Sequence, residues 1–167
     1  MDFVWSPWRY DYLASAGKKP SSCVFCLSED RSLDPQRLVV LRATHNFIIL
    51  NLFPSTSGHL MIAPYEHRDT IAEAKPEQLS EMMALSQRSI AALKTLYRPE
   101  GFNIGMNLIG MNLGAAAGAG IREHFHLHVV PRWVGDANFM SITGETRVLP
   151  EELGRTYERL KSVLTIP

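Results

Sequence analysis

The stretch of sequence that decides the fold is His124-Phe125-His126-Leu127-His128-Val129-Val130. Successive side chains of a β-strand point to opposite faces, so a strand here places the three histidines on one face and the apolar residues on the other, toward a core. Half of the six histidines of the chain lie between residues 124 and 128. Three imidazoles on one face add little to stability. We therefore favour a functional role over an exposed strand face that merely carries histidine.

Two kinds of chemistry are open to three imidazoles on one face. They can hold a catalytic zinc ion, because three histidines and a water complete an open tetrahedral site. Alternatively, the middle imidazole attacks a phosphate while its neighbours orient it and donate to the oxygens. The segment just upstream contains Asn112-Leu113-Gly114 and Gly118-Ala119-Gly120. Small residues let backbone N–H groups approach anionic oxygens, which favours phosphate chemistry.

Outward from this strand, which we predict over 124–130 and ended by Pro131, the sequence predicts four more strands and two helices. The strands are expected at 38–41, 47–50, 60–63 and 102–113, and the helices from Lys75-Pro76 to Tyr97 and over 150–164. Apolar residues at i, i+3, i+4 spacing after a first-turn proline indicate the long helix. The first 36 residues are predicted to form an irregular arm. We predict an α+β fold with an antiparallel sheet of about five strands, one long helix and a C-terminal helix.

A tandem repeat of five residues interrupts the predicted fourth strand. Ile-Gly-Met-Asn-Leu occurs at 104–108 and again at 109–113. An odd-length insertion would turn every later side chain to the opposite face of the sheet. We therefore expect a bulge or a lengthened loop at this point.

Composition bounds the partners and the compartment. The 167 residues carry 17 basic and 17 acidic side chains, so the sequence offers no broad positive field for a nucleic-acid polymer. The N-terminus has no apolar signal core and no stretch approaches the length of a membrane span. Cys23 and Cys26 are the only cysteines, too few for a disulfide framework. We expect a cytoplasmic protein with a small-molecule substrate and no membrane partner.

The whole pattern resembles the histidine-triad (HIT) superfamily of nucleotide hydrolases and transferases. The resemblance rests on His-x-His-x-His preceded by asparagine and a glycine-rich loop, and it covers nearly the whole chain. It includes WSPWR-x-x-YL at 5–13, CVFC at 23–26, FIILNLFPSTSGHLMIAPYEH at 47–67, GFNIG at 101–105, and HFHLHVVPRWVGDANFM at 124–140. The branch is similar to bacterial diadenosine tetraphosphate (Ap4A) phosphorylases. The resemblance implies a single HIT-like domain over 1–167, and a homodimer.

The resemblance also implies roles for individual residues. His126 would be the nucleophile on the α-phosphorus, and His128 would contact the phosphate oxygens and the departing group. The other implied substrate-binding residues are Asn51 near the ribose, Asn112, Ala119, Gly120 and Ile121 at the phosphate, and Trp133 near the nucleotide. Asn107, in the first copy of the repeat, is an alternative to Asn112. Gly58 and His59 match the Gly-His turn of the family.

A structural zinc site is the second implication. Cys23-x-x-Cys26 has the spacing of a zinc knuckle, but two thiolates fill only half of a tetrahedral site. By the resemblance, His67 and His124 would complete it, and zinc at His124 would fix the start of the histidine strand and so stiffen His126. The alternative is a pair of reduced thiols that pack the N-terminal arm, with His124 merely hydrogen-bonded.

Three functional hypotheses follow from the sequence. The first is a nucleotidyl hydrolase or phosphorylase that cleaves dinucleoside polyphosphates or nucleoside phosphoramidates through a covalent nucleotidyl-His126 intermediate, with water or phosphate as the acceptor. The second is a nucleotide-binding module whose hydrolysis is incidental and which acts through a protein partner. The third is a metalloenzyme with zinc on all three histidines.

Overall fold

The structure, a computed structural model, describes residues 23–27, 29–108, 121, 123–136 and 151–164. Its centre is a sheet of five strands in which all neighbouring pairs are antiparallel. The strands are β1 (Val39–Arg42), β2 (Asn46–Leu50), β3 (Leu60–Pro64), β4 (Gly101–Gly105) and β5 (Leu127–Arg132). Their order across the sheet is β1-β2-β3-β5-β4. The predicted α+β class and the antiparallel sheet are confirmed.

Strands β2 and β3 are buried along their whole length because both faces of the sheet are covered. In register, Ile48 lies opposite Ile62, and both side chains belong to the main core beneath the helices. Their neighbours Phe47 and Ile49 point to the other face, where they form a second core cluster with Phe25. Alternation therefore sends apolar side chains to two cores. The segment 23–27 covers the face opposite the helices.

The long helix α2 follows the short helix α1 (Asp34–Arg37) and extends over Pro76–Tyr97. Lys75 and Pro76 begin it as predicted, and the Gln78 side chain accepts a hydrogen bond of 2.9 Å from the backbone N–H of Lys75. It ends where Arg98 takes a left-handed conformation, with φ of 49°. The buried face of α2 packs on the main core through Met82, Leu85 and Leu93.

The C-terminal helix α3 (Leu153–Val163) packs beside α2 and contributes Tyr157 and Leu160 to the main core. Glu151, just before α3, accepts hydrogen bonds from Tyr97 at the end of α2 and from Arg159 within α3. This carboxylate joins the two helices. The predicted helix over 150–164 is confirmed as α3. Within the described part of the chain, no helix is long and apolar enough to cross a membrane.

The predicted limits of the histidine strand were wrong at both ends. Strand β5 begins at Leu127 rather than at His124, because the backbone N–H of Phe125 donates to the carbonyl of Arg68, 2.6 Å away, and not to a sheet neighbour. It continues through Pro131, which lies opposite Phe102 of β4. Pairing between β3 and β5 reaches only as far as Val129, so the missing N–H of Pro131 breaks no hydrogen bond of that pair.

Two other sequence predictions are corrected. Strand β4 ends at Gly105, opposite His128, and not at residue 113, because β5 provides no partner before Leu127. Residues 31–37 of the supposedly irregular arm form a 3-10 turn followed by α1. The pairing of β4 is regular over 101–105. The second copy of the repeat, where we expected the register change to be absorbed, lies outside the described residues.

Candidate active site

His126 lies just before β5, and its ring is buried, with 5% of the residue exposed. Its Nδ1 is 2.9 Å from the carbonyl oxygen of His124. Because a carbonyl oxygen can only accept, Nδ1 must carry the proton, and Nε2 of the neutral ring keeps its lone pair. Burial lowers the pKa of His126 below its usual value, and the hydrogen bond to His124 only partly offsets this. The ring is therefore neutral at pH 7.

His128, the next residue on the same face, is linked to His59 of the turn before β3. Nδ1 of His128 is 2.9 Å from Nε2 of His59. The backbone N–H of Ser55 donates to Nδ1 of His59 over 3.1 Å, so the proton of the neutral His59 ring is on Nε2. That proton is donated to Nδ1 of His128, which leaves an N–H donor at Nε2 of His128. The two rings form a hydrogen-bonded relay that fixes one tautomer of His128.

Electrostatics keep His128 neutral as well. Burial, and then the neighbouring His126, lower the pKa of His128 to about 4. The rings of His126 and His128 meet edge to face, with centroids 4.7 Å apart and planes at 70°. A ring with a lone pair and a ring with an N–H donor thus stand side by side. This pair can attack an electrophilic phosphorus and stabilise the departing oxygen.

Gly58 makes the position of His59 possible. It adopts a φ of +82°, and a Cβ built on it would lie 2.7 Å from Cδ2 of Leu93 in α2. The positive φ would strain any other residue, and its Cβ would crowd the Leu93 side chain, so a substitution is expected to disturb the turn that carries His59. The Gly-His turn predicted by resemblance therefore has a physical reason.

Four side chains of the kinds that bind zinc lie close together, and one of them is His124, the first histidine of the triad. The ligand atoms of Cys23, Cys26, His67 and His124 all lie within 4.8 Å of one another; we call these residues the Cys2His2 cluster. In a tetrahedral site, zinc has bonds of about 2.3 Å to sulfur and about 2.0 Å to nitrogen, so a sulfur ligand and a nitrogen ligand lie about 3.5 Å apart. The observed distances are 3.6 Å from Cys23 Sγ to His124 Nδ1 and 3.3 Å from Cys26 Sγ to His67 Nδ1. The donor set and its spacing fit a zinc ion.

A second hydrogen bond prepares His124 for this role. Its Nε2 is 2.8 Å from the carbonyl oxygen of Pro64, so Nε2 carries the proton and Nδ1 presents a lone pair toward the cysteines. Burial is the main reason that the pKa of His124 is lowered. Within the described residues, the group able to hold a metal contains His124 but neither His126 nor His128. The geometry therefore disfavours zinc on all three histidines.

The predicted substrate residues fall into three groups. Asn51 lies beside the relay, with Nδ2 3.4 Å from Nδ1 of His59, and Ile121 packs against the second core cluster, which contains Phe25. Trp133 follows the end of β5, and so its strand places it at the far end from His126. Three predicted phosphate residues, Asn112, Ala119 and Gly120, lie outside the described residues.

Two residues that contact the histidines, His59 and Phe25, have no chemical role in the predictions from sequence. His59 was matched only as part of a turn, although a histidine directly before an apolar strand was a usable signal. Phe25 was not singled out. Its position between two cysteines with zinc-knuckle spacing was the feature of the sequence that could have indicated it. Both contacts join residues far apart in sequence, 69 residues for His59 and His128, which no local pattern reveals.

Several known proteins resemble this chain in sequence and in fold. A model of the HIT domain matches residues 34–134. The AP-4-A phosphorylase of Mycobacterium tuberculosis is 39% identical over 159 residues, which cover 92% of this chain and 79% of that protein. A zinc-bound histidine triad family protein from Mycobacterium smegmatis has a TM-score of 0.64 at 28% identity, over 86% of this chain and 93% of that one. The diadenosine triphosphate hydrolase of Plasmodium falciparum, 17% identical, shares the fold with a TM-score of 0.60 over 92% and 91% of the two chains.

The matched range contains all five strands of the sheet, helix α2 and all three triad histidines. The relative from Mycobacterium tuberculosis extends the similarity over most of the chain. The resemblance predicted from the sequence is confirmed: the chain belongs to the HIT family of nucleotide-processing proteins.

Proposed function

We propose that this protein is a HIT-type nucleotide hydrolase or nucleotidyltransferase that cleaves dinucleoside polyphosphates such as Ap4A through a covalent nucleotidyl-His126 intermediate. The observation that carries the proposal is the hydrogen bond of 2.9 Å from Nδ1 of His126 to the carbonyl of His124. It places the lone pair of a buried, neutral imidazole on Nε2, so no separate base has to activate the nucleophile. Similarity to the AP-4-A phosphorylase of Mycobacterium tuberculosis supports the substrate class.

The reaction has two displacements at the α-phosphorus. In the first, Nε2 of His126 forms a bond to phosphorus, and the bond from phosphorus to the bridging oxygen breaks. The polyphosphate departs as an anion, so Nε2–H of His128 needs to donate only a hydrogen bond and not a proton. Nδ1–H of His126 remains bonded to the carbonyl of His124 and stabilises the positive charge on the ring. In the second displacement, water or phosphate forms a bond from oxygen to phosphorus, the N–P bond breaks, and its electron pair returns to Nε2. When water is the acceptor, the proton that its oxygen loses goes to Nε2 and from there to solvent, which restores the neutral ring.

We assign the remaining substrate contacts by resemblance and by position. Asn51, beside the His59–His128 relay, would approach the ribose. By the resemblance, the backbone of Ile121, which packs against the second core cluster, would donate to phosphate together with Asn112, Ala119 and Gly120. Contact of Trp133 with the nucleotide stays a prediction.

The Cys2His2 cluster would hold a structural zinc ion, as its fit to tetrahedral geometry supports. When bound, zinc supplies a rigid tether between the segment 23–26 and His124, outside the bond-making steps. We further propose one HIT-like domain over 1–167, including the arm 1–36, and a cytoplasmic homodimer that acts on small nucleotides rather than on nucleic-acid polymers.

Product analysis with Ap4A tests the proposed function. We expect ATP to be released in every reaction, since it is the leaving group of attack at the α-phosphorus. With added phosphate, ADP as the second product would show phosphorolysis, and AMP formed without phosphate would show hydrolysis. Chromatography of the nucleotides, with and without phosphate, gives the result. Two ADP molecules from Ap4A without phosphate would contradict attack at the α-phosphorus.

The relay predicts a graded effect of substitutions at His59. His59→Phe removes the donor to Nδ1 of His128, so the His128 tautomer is no longer fixed, and we expect kcat for Ap4A to fall about 10- to 100-fold with little change in KM. His59→Gln is the matched control, because its amide N–H can replace Nε2–H of the imidazole. It should retain more of the wild-type kcat. Equal losses in the two variants, or wild-type kcat in His59→Phe, would contradict the relay.

A further inference from the structure

Phe25 is an aromatic residue between the two cysteines, and its ring contacts the ring of His126. The residue is 0% exposed, and its ring centroid lies 4.7 Å from that of His126, with the planes at 44°. The centroid of His124 is 5.4 Å away, in an edge arrangement. The reaction steps described above do not use this side chain.

One hydrogen bond does not fix the plane of an imidazole. The hydrogen bond from Nδ1 of His126 to the carbonyl of His124 holds one atom of the ring. The ring plane can still tilt about the direction of this bond, and the tilt moves Nε2. Two neighbouring rings oppose the tilt, Phe25 on one side and His128 edge-on, with centroids 4.7 Å from His126 in each case. Orientation matters because a displacement of about 1 Å at a reacting atom can cost about 100-fold in rate.

We propose that Phe25 is a positioning residue that holds the His126 ring in the orientation from which Nε2 reaches phosphorus. This inference rests on the proposed function of His126. The local backbone supports it: Cys26 N–H donates to the carbonyl of Cys23 over 3.1 Å, forming a turn with Phe25 inside it. Since both cysteines belong to the Cys2His2 cluster, a metal bound there would hold Phe25 from both sides.

Phe47 provides a matched control. It is also 0% exposed and belongs to the same core cluster as Phe25. In the described part of the chain, its ring contacts are with Phe25, at 6.4 Å, and Tyr65, at 5.5 Å, and not with a histidine. A change from Phe to Leu at either position removes an aromatic ring from the second core cluster. Only the change at Phe25 removes a ring that contacts His126.

The experiment compares Phe25→Leu and Phe47→Leu with the wild type in kcat, KM, Tm and zinc content. We expect kcat for Ap4A to fall about tenfold or more in Phe25→Leu, with KM and zinc content unchanged. Phe47→Leu should lower Tm to a similar extent but keep kcat within about twofold. If Phe25→Leu does not fold, Phe25→Met, which fills more of the same volume, takes its place. Equal kcat losses in the two variants would overturn the proposal.

A readout without turnover separates this proposal from the proposed function. In 15N NMR spectra of the histidine side chains, Phe25→Leu should shift or broaden the signals of His126 and leave those of His59 unchanged. Phe47→Leu should leave both unchanged. Unchanged His126 signals in Phe25→Leu would overturn the positioning role even if the enzyme is active. Failure of the wild type to cleave Ap4A would overturn the proposed function and leave this spectroscopic test in force.

Discussion

His126→Asn should lower kcat for Ap4A by about 10⁴-fold or more, because it removes the atom that forms the bond to phosphorus. The neighbouring imidazole cannot take over, since Nε2 of His128 carries the proton that the His59 relay assigns to it. Asparagine can still donate to the carbonyl of His124 from its amide, so the start of β5 should keep its structure. Steady-state release of ATP measures the loss. Calorimetric titration with a non-hydrolysable analogue should show nucleotide affinity within about threefold of the wild type.

The control for this variant is His45→Asn, which changes a histidine in the turn between β1 and β2 and should leave kcat unchanged. A covalent intermediate gives a second measurement. Wild-type protein quenched during turnover should contain a fraction that carries one AMP unit, and His126→Asn should contain none. If His126→Asn released ATP at the wild-type rate, the assignment of His126 as the nucleophile would be refuted. Loss of nucleotide binding would instead mean that the variant had lost its structure.

Local periodicity accounts for the parts of the fold that the sequence predicted well. The alternation at Phe125, Leu127 and Val129 correctly placed these side chains in the main core. First-turn Pro76 and the helical spacing after it correctly located α2. Each of these features depends on neighbours within a few residues, and the physics that fixes it is therefore present in a short window of sequence.

The contacts that organise the active site depend on chain segments far apart in sequence. Arg68 contacts Phe125, Phe25 contacts His126 and His59 contacts His128, and in each pair the two residues lie more than fifty positions apart in sequence. The cysteine spacing predicted only two ligands of the Cys2His2 cluster, and the other two came from resemblance. Prediction failed where tertiary pairing decides, as at the start of β5 and the end of β4.

Removal of the two thiolates should have the second large effect. In Cys23→Ser, Cys26→Ser we expect zinc content to fall from about one ion per chain to none, since two imidazoles alone leave the tetrahedral site half filled. The free energy of unfolding should fall by about 3 kcal/mol or more, because metal that binds only the folded chain stabilises it. The tether between the segment 23–26 and His124 would be lost as well, so kcat should fall about 10- to 100-fold.

Elemental analysis for zinc, thermal unfolding and kcat for Ap4A measure the three effects. Glu66→Gln is the matched control: it changes a potential oxygen ligand next to His67 that belongs to a salt bridge with Lys75 and not to the Cys2His2 cluster. It should keep one zinc ion per chain and wild-type kcat.

Because the His126 ring uses Nδ1 to bind the carbonyl of His124 and His128 uses Nδ1 to bind His59, a zinc ion on the triad would have to compete for Nε2 of His126. If the double variant kept one zinc ion per chain, the ion would be bound by the triad, through Nε2 of His126. His126 would then be a metal ligand rather than a nucleophile.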